Sequence, residues 1–164
     1  MKQLNWRQRP LSNKIELFSE SKNIGKMITS SLFKKQEGEI NGKRFIFNSR
    51  GLLFNKFQIL NYDDKTVVGE IKYKYLSYKG LIILNSGQSF FWHLSKPFKK
   101  GWTISDDKDT FVLCQGLGST GKINFEESSD VLVLAGLYIV SCYIKACLFL
   151  MILFVIFCTI AYNS

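Results

Sequence analysis

The chain is poor in the residues that usually advertise chemistry. It has one histidine, two prolines and four cysteines in 164 residues. His93 lies between Trp92 and Leu94, with no cysteine or carboxylate at ligand spacing. That excludes a recognisable histidine metal centre or a Ser-His-Asp signature, and His93 reads as a structural strand residue. Cys114 falls in an aromatic, β-branched run, while Cys142, Cys147 and Cys158 fall in the apolar C-terminal segment. This pattern is neither a disulfide framework nor a zinc motif. The cysteines read as small buried hydrophobes, with acylation of Cys142 or Cys147 beside a membrane interface as the alternative. Pro10 and Pro97 stand outside the strand patterns. No amphipathic helix is evident between Lys34 and Phe125. Residues 1–20 hold no apolar core of a signal peptide, so export is not expected.

Two clusters that superficially suggest ligands have simpler readings. Asp106, Asp107 and Asp109 lack the glycine and terminal glutamate of an EF-hand loop and read as a solvated hairpin turn. Gly116, Gly118 and Gly121 lack the Lys-Ser/Thr and following helix of a P-loop and read as a flexible turn. Ser119 and Thr120 have no histidine and carboxylate near them in sequence. No catalytic residue, metal or cofactor is therefore expected.

What the chain does have is a nearly unbroken apolar run, Val131 to Tyr162, interrupted by a single charge at Lys145. As one helix it would be roughly 48 Å long, against a bilayer hydrocarbon core of about 30 Å. Lys145 divides it. The part from Ala146 to Tyr162 has the composition of a membrane span. Lys145 at its boundary can snorkel to the headgroups, which makes it the expected membrane-interface residue. The part from Val131 to Ile144 is apolar around its whole circumference and must be surrounded by lipid or by protein.

Upstream, short runs rich in β-branched and aromatic residues alternate with turn clusters. The runs are KIELF, GEINGKRFIF, KFQIL, VVGEIKY, LIIL, SFFWHL, WTIS, TFVLC and KINF; the separators include NYDDK, NSGQ, SDDKD and GLGSTG. This is the pattern of an antiparallel β-barrel or sandwich. Residues 1–13 read as a loosely ordered basic arm. A barrel could enclose the 131–144 helix, whose length of about 21 Å suits strands of about six residues.

The order of these pieces resembles the tubby C-terminal-like superfold of tubby, LURP-one-related and phospholipid scramblase proteins, most closely its uncharacterised bacterial members. The resemblance rests on FQILNYDDKTVVGEIKYKY (57–75), the passage from Leu81 to Cys114, GKINF (121–125) and SSDVLVLAGLYIV (128–140). It implies a closed antiparallel barrel of about ten to twelve strands around a hydrophobic C-terminal helix, occupying 14–145 with a membrane tail at 146–162. No match to the proline-rich arm or the acidic calcium-binding stretch of scramblases is present, so scrambling is not carried over.

The formal charge is +9, nearly all of it upstream of the apolar run. Such a balance favours anionic partners, though it also fits lysines that solvate a β-rich surface and blunt its edges. The expected partners are membrane lipids, anionic ones in particular. Lys96, Lys99, Lys100 and Trp102 are the expected lipid-facing set, and Lys72, Tyr73, Lys74, Tyr75, Tyr78 and Lys79 form a second basic and aromatic cluster. The expected function is a non-enzymatic, membrane-anchored barrel with a binding or structural role, its domain in the cytoplasm and its C-terminus across the bilayer. A lipid-modifying or lipid-translocating protein and a nucleic-acid-binding module are the alternatives. No nucleic-acid signature is present, so that partner is not expected.

Overall fold

The computed structural model describes residues 1–9, 12–29, 35–50, 56–74, 77–95, 101–117 and 119–162. Twelve strands and one helix are present among them: β1 (Lys2–Gln8), β2 (Lys14–Ser19), β3 (Lys22–Thr29), β4 (Lys35–Ile40), β5 (Lys43–Arg50), β6 (Lys56–Asn61), β7 (Val67–Tyr73), β8 (Lys79–Leu84), β9 (Ser89–Leu94), β10 (Gly101–Ser105), β11 (Thr110–Gln115), β12 (Thr120–Phe125) and α1 (Asp130–Tyr162). Each strand pairs antiparallel with its sequence neighbour, and β1 pairs with β12, closing the barrel. The fold is therefore mainly β: a closed antiparallel barrel with one C-terminal apolar helix.

Alternation along the strands divides interior from exterior. Ile15 and Leu17 of β2, Phe57 and Ile59 of β6, Ile71 and Tyr73 of β7, and Phe90 and Trp92 of β9 are buried, while the residues between them are more exposed. A barrel of this many strands is too wide for its own side chains to fill. The first part of α1 fills it. Leu132 to Cys142 is buried on every side and joins the strand interiors in one hydrophobic cluster. This accounts for the all-round apolarity that no surface helix would show.

The start of α1 is fixed by the β4–β5 hairpin. Asn41 and Gly42 both have positive φ (51° and 78°), and Ile40 pairs with Lys43, so the turn is the two-residue kind that Asn-Gly favours. From this turn Asn41 Nδ2 donates to one carboxylate oxygen of Asp130 at 2.9 Å, and Lys43 Nζ reaches the other at 2.8 Å. Asp130 is buried, and its charge sits at the helix end where backbone N–H groups have no partner within the helix. The Ser129 carbonyl accepts the Val133 N–H at 3.0 Å, beginning the helical ladder.

Further along, Gly136 permits a close approach of helix and wall. A Cβ there would lie 2.2 Å from the Trp102 indole. Tyr138 stacks on Phe47, with centroids 4.9 Å apart and planes 15° apart, and meets the edge of Phe57 at 5.1 Å.

Three expectations are corrected. Within the expected loose arm, Lys2–Gln8 is a strand, β1, with Leu4 and Trp6 buried, and its pairing with β12 and β2 closes the barrel. Lys22–Thr29, absent from the runs named in the sequence, is β3; Gly25 with Lys22 and Lys26 weakens its hydrophobic pattern. GEINGKRFIF is not one strand but the end of β4, the Asn41-Gly42 turn and the start of β5.

Candidate functional site

Because neighbouring strands are antiparallel, the barrel has two chemically distinct rims. α1 enters beside Asn41 and Lys43, at the β4–β5 turn. It leaves beside Gln36, near the start of β4, whose side-chain oxygen accepts a bond from Ser141 Oγ at 3.3 Å. Tyr143 then meets Tyr78, just before β8, with ring centroids 6.2 Å apart. The exit rim is therefore formed by the starts of even-numbered strands and the ends of odd-numbered ones.

At the exit rim the charge is mostly positive. Four consecutive even-numbered strands open on lysine, namely Lys14, Lys35, Lys56 and Lys79. Arg50 closes β5 and Lys74 follows β7. The carboxylates nearby lie further along their strands: Glu16 pairs with Lys14, Glu37 with Lys35 and Glu70 with Lys72. The entry rim has the opposite bias, with Glu20, Asp63, Asp64, Asp106, Asp109 and Glu126 in its connections, interspersed with Lys22, Lys43, Lys65 and Lys108. A closed barrel has no free strand edge, so edge protection does not explain the lysines.

Burial along α1 changes at the exit rim. Cys142 is fully buried, Tyr143 and Lys145 are half-buried, and Leu148 to Tyr162 is exposed without interruption. The helix is continuous through Lys145. It is long and apolar enough to span a bilayer. From Ile144 to Tyr162 it extends roughly 28 Å, close to the hydrocarbon thickness of about 30 Å.

The residues expected to face lipid fare differently. Trp102 does not lie on the surface: it is 1% exposed, one of the largest fully buried side chains, packed against Gly136 inside the barrel. Its place in an alternating strand assigns it inward, which the neighbouring lysines in sequence obscured. Lys96, Lys99 and Lys100 lie outside the described residues. Leu94 and Gly101, which flank that segment, are at the exit rim. Lys145 sits where burial gives way to exposure.

The second basic and aromatic cluster splits as strand alternation requires. Tyr73 points inward, Lys72 and Lys74 are exposed, and Tyr78 is exposed beside Tyr143. Tyr75 lies outside the described residues. With Lys56 and Lys79, these lysines line an outward-facing groove of about 340 Å³ together with Ser77, Leu81 and Phe91. Lys56 and Lys72 are direct cross-strand partners. Sequence reading missed this pair because it depends on the β6–β7 register.

The other residues singled out in the sequence fall on strands and turns. His93 is half-buried on β9, opposite Lys79 and Thr103. Asp106 accepts the backbone N–H groups of Lys108 and Asp109 at 2.8 and 2.7 Å, and these bonds hold its pKa below the usual carboxylate value. It closes a turn, as expected. Gly116 has φ of 111°, which suits a turn before β12; Gly118 lies outside the described residues. Burial pushes the Cys114 thiol up to about 12, far from the thiolate a nucleophile needs.

The arrangement defines a class by its architecture: a closed antiparallel barrel threaded by a helix that leaves it as an exposed apolar rod. No family model, curated protein or solved structure matches the chain.

Proposed function

We propose that this is a single-pass membrane protein whose barrel acts at the membrane surface in a binding or structural role, without catalysis. The observation that carries this reading is the single unbroken α1, buried in the barrel to Cys142 and exposed as an apolar rod from Leu148 onward. An exposed apolar surface of that extent in water would be a severe aggregation liability, whereas its length fits a bilayer. Continuity adds a mechanical property: the helix that packs the core is also the anchor, so the barrel is held with its exit rim facing the bilayer.

Two further features belong to the proposal. The basic exit rim beside the span supports a cytoplasmic position for the barrel, in keeping with the positive-inside bias. The central helix within an antiparallel barrel supports kinship with the tubby and LURP-one type, since that is the arrangement the sequence resemblance implies. The helix also occupies the interior in which wide barrels hold ligands, which directs binding to the outer surface. The partners that chemistry favours are lipids, with anionic headgroups complementing the rim.

Alkaline carbonate extraction of membranes from expressing cells tests the anchor. The full chain is expected to stay with the membrane pellet, and a version ending at Lys145 to enter the supernatant. Equal release of both would remove the basis for the membrane reading.

A further inference from the structure

We propose that the groove bordered by Lys56, Lys72, Lys74 and Lys79 binds the phosphate group of an anionic phospholipid in the leaflet that α1 enters; this rests on the membrane reading above. The groove is unusual in its charge. Lys56 and Lys72 stand directly opposite each other on β6 and β7, and like charges so placed destabilise a strand pair. Lys72 is relieved by Glu70 at 2.9 Å, but Lys56, Lys74 and Lys79 have no ion pair among the described residues. The segments outside the described residues contain no aspartate or glutamate, so the sequence supplies no carboxylate from them either. A bound anion would relieve this repulsion.

Position selects a lipid as the source of the anion. Ser77 and Lys79 flank Tyr78, which contacts Tyr143 of α1. Tyr143 lies just before Ile144, where the helix surface becomes exposed and apolar. The groove is thus level with the start of the span, where headgroup phosphates reside when the apolar rod occupies the hydrocarbon core. Its lysines can offer several N–H donors to phosphate oxygens and Ser77 a hydroxyl, while Leu81 and the 39% exposed Phe91 provide an apolar wall for the rest of the headgroup.

The test uses the full chain in nanodiscs of phosphatidylcholine alone or mixed equally with phosphatidylglycerol. Acetylation of each lysine by an amine-reactive reagent is followed by mass spectrometry. The anionic lipid is expected to slow modification of Lys56, Lys74 and Lys79 several-fold more than that of Lys14 and Lys35 on the same rim, leaving Lys22 and Lys108 at the entry rim unchanged. Lys56→Gln should remove most of this protection at Lys74 and Lys79 without altering Lys14. Uniform slowing around the exit rim would overturn the groove in favour of a diffuse surface effect. Equal protection by inorganic phosphate in phosphatidylcholine nanodiscs would overturn the lipid as its occupant. Failure of the protein to co-elute with nanodiscs would instead sink the membrane reading, and the lipid site with it.

Discussion

A chain ending at Asp130 is expected to lose cooperative unfolding altogether, whereas one ending at Lys145 keeps it. The shorter chain lacks Leu132, Val133, Leu134, Leu137, Tyr138, Ile139 and Val140, all buried inside the barrel. At about 1.5–3 kcal/mol for each large apolar side chain, their loss removes on the order of 10–20 kcal/mol, as much as or more than the roughly 5–15 kcal/mol by which a domain is stable. The opposing walls would also face an unfilled space, since Phe47 and Phe57 lose Tyr138 and Trp102 loses the backbone at Gly136. Ending at Lys145 removes a segment that is exposed from Leu148 to Tyr162. Thermal melts followed by near-ultraviolet circular dichroism distinguish the two; a cooperative melt from the chain ending at Asp130 would show that the strands close without the helix.

Gly136→Ala is expected to destabilise the protein by about 2 kcal/mol, although alanine is the better helix former by about 1 kcal/mol. The added methyl carbon would start 2.2 Å from an indole carbon of Trp102, and that ring is itself fully buried with nowhere to retreat. Trp102→Phe trims the clashing ring. The double variant should therefore be more stable than the sum of the two single changes by about 1 kcal/mol or more, as expected for residues in direct contact. Urea unfolding of the four proteins in mild detergent measures the cycle. A neutral or stabilising Gly136→Ala would mean that the helix does not dock against Trp102.

The strands with strong aromatic and β-branched content were legible in sequence: KFQIL, VVGEIKY, SFFWHL, TFVLC and KINF all fall within strands. So was the long apolar run, which forms one helix, buried to Cys142 and exposed from Leu148 to Tyr162. Other features depend on partners distant in the chain. β1 is mostly polar and becomes a strand because β12 and β2 satisfy its backbone on both sides. The division of GEINGKRFIF was available locally, since Asn-Gly between apolar alternations is a strong short hairpin signal. The clasp of Asp130 to Asn41 and Lys43 joins positions far apart in sequence.

The candidate site was less legible for the same reason. Trp102 follows the Lys-rich segment and resembled part of a surface patch, yet strand alternation sends it inward. The cluster around Lys72 to Lys79 was visible as composition. Its meaning changed only when the register brought Lys56 across from Lys72 and the helix exit placed Tyr143 beside Tyr78.

The central claim is that one rigid helix both fills the barrel and crosses the bilayer. Hydrogen–deuterium exchange of the full chain in phospholipid nanodiscs tests it most directly, because exchange reports local opening along the backbone. The amides from 134 to 158 are expected to exchange slowly as one continuous block, including 143–147, where the helix passes from barrel to lipid. Rapid exchange confined to 143–147, with slow exchange on both sides, would contradict it by showing a hinge between two independent helices.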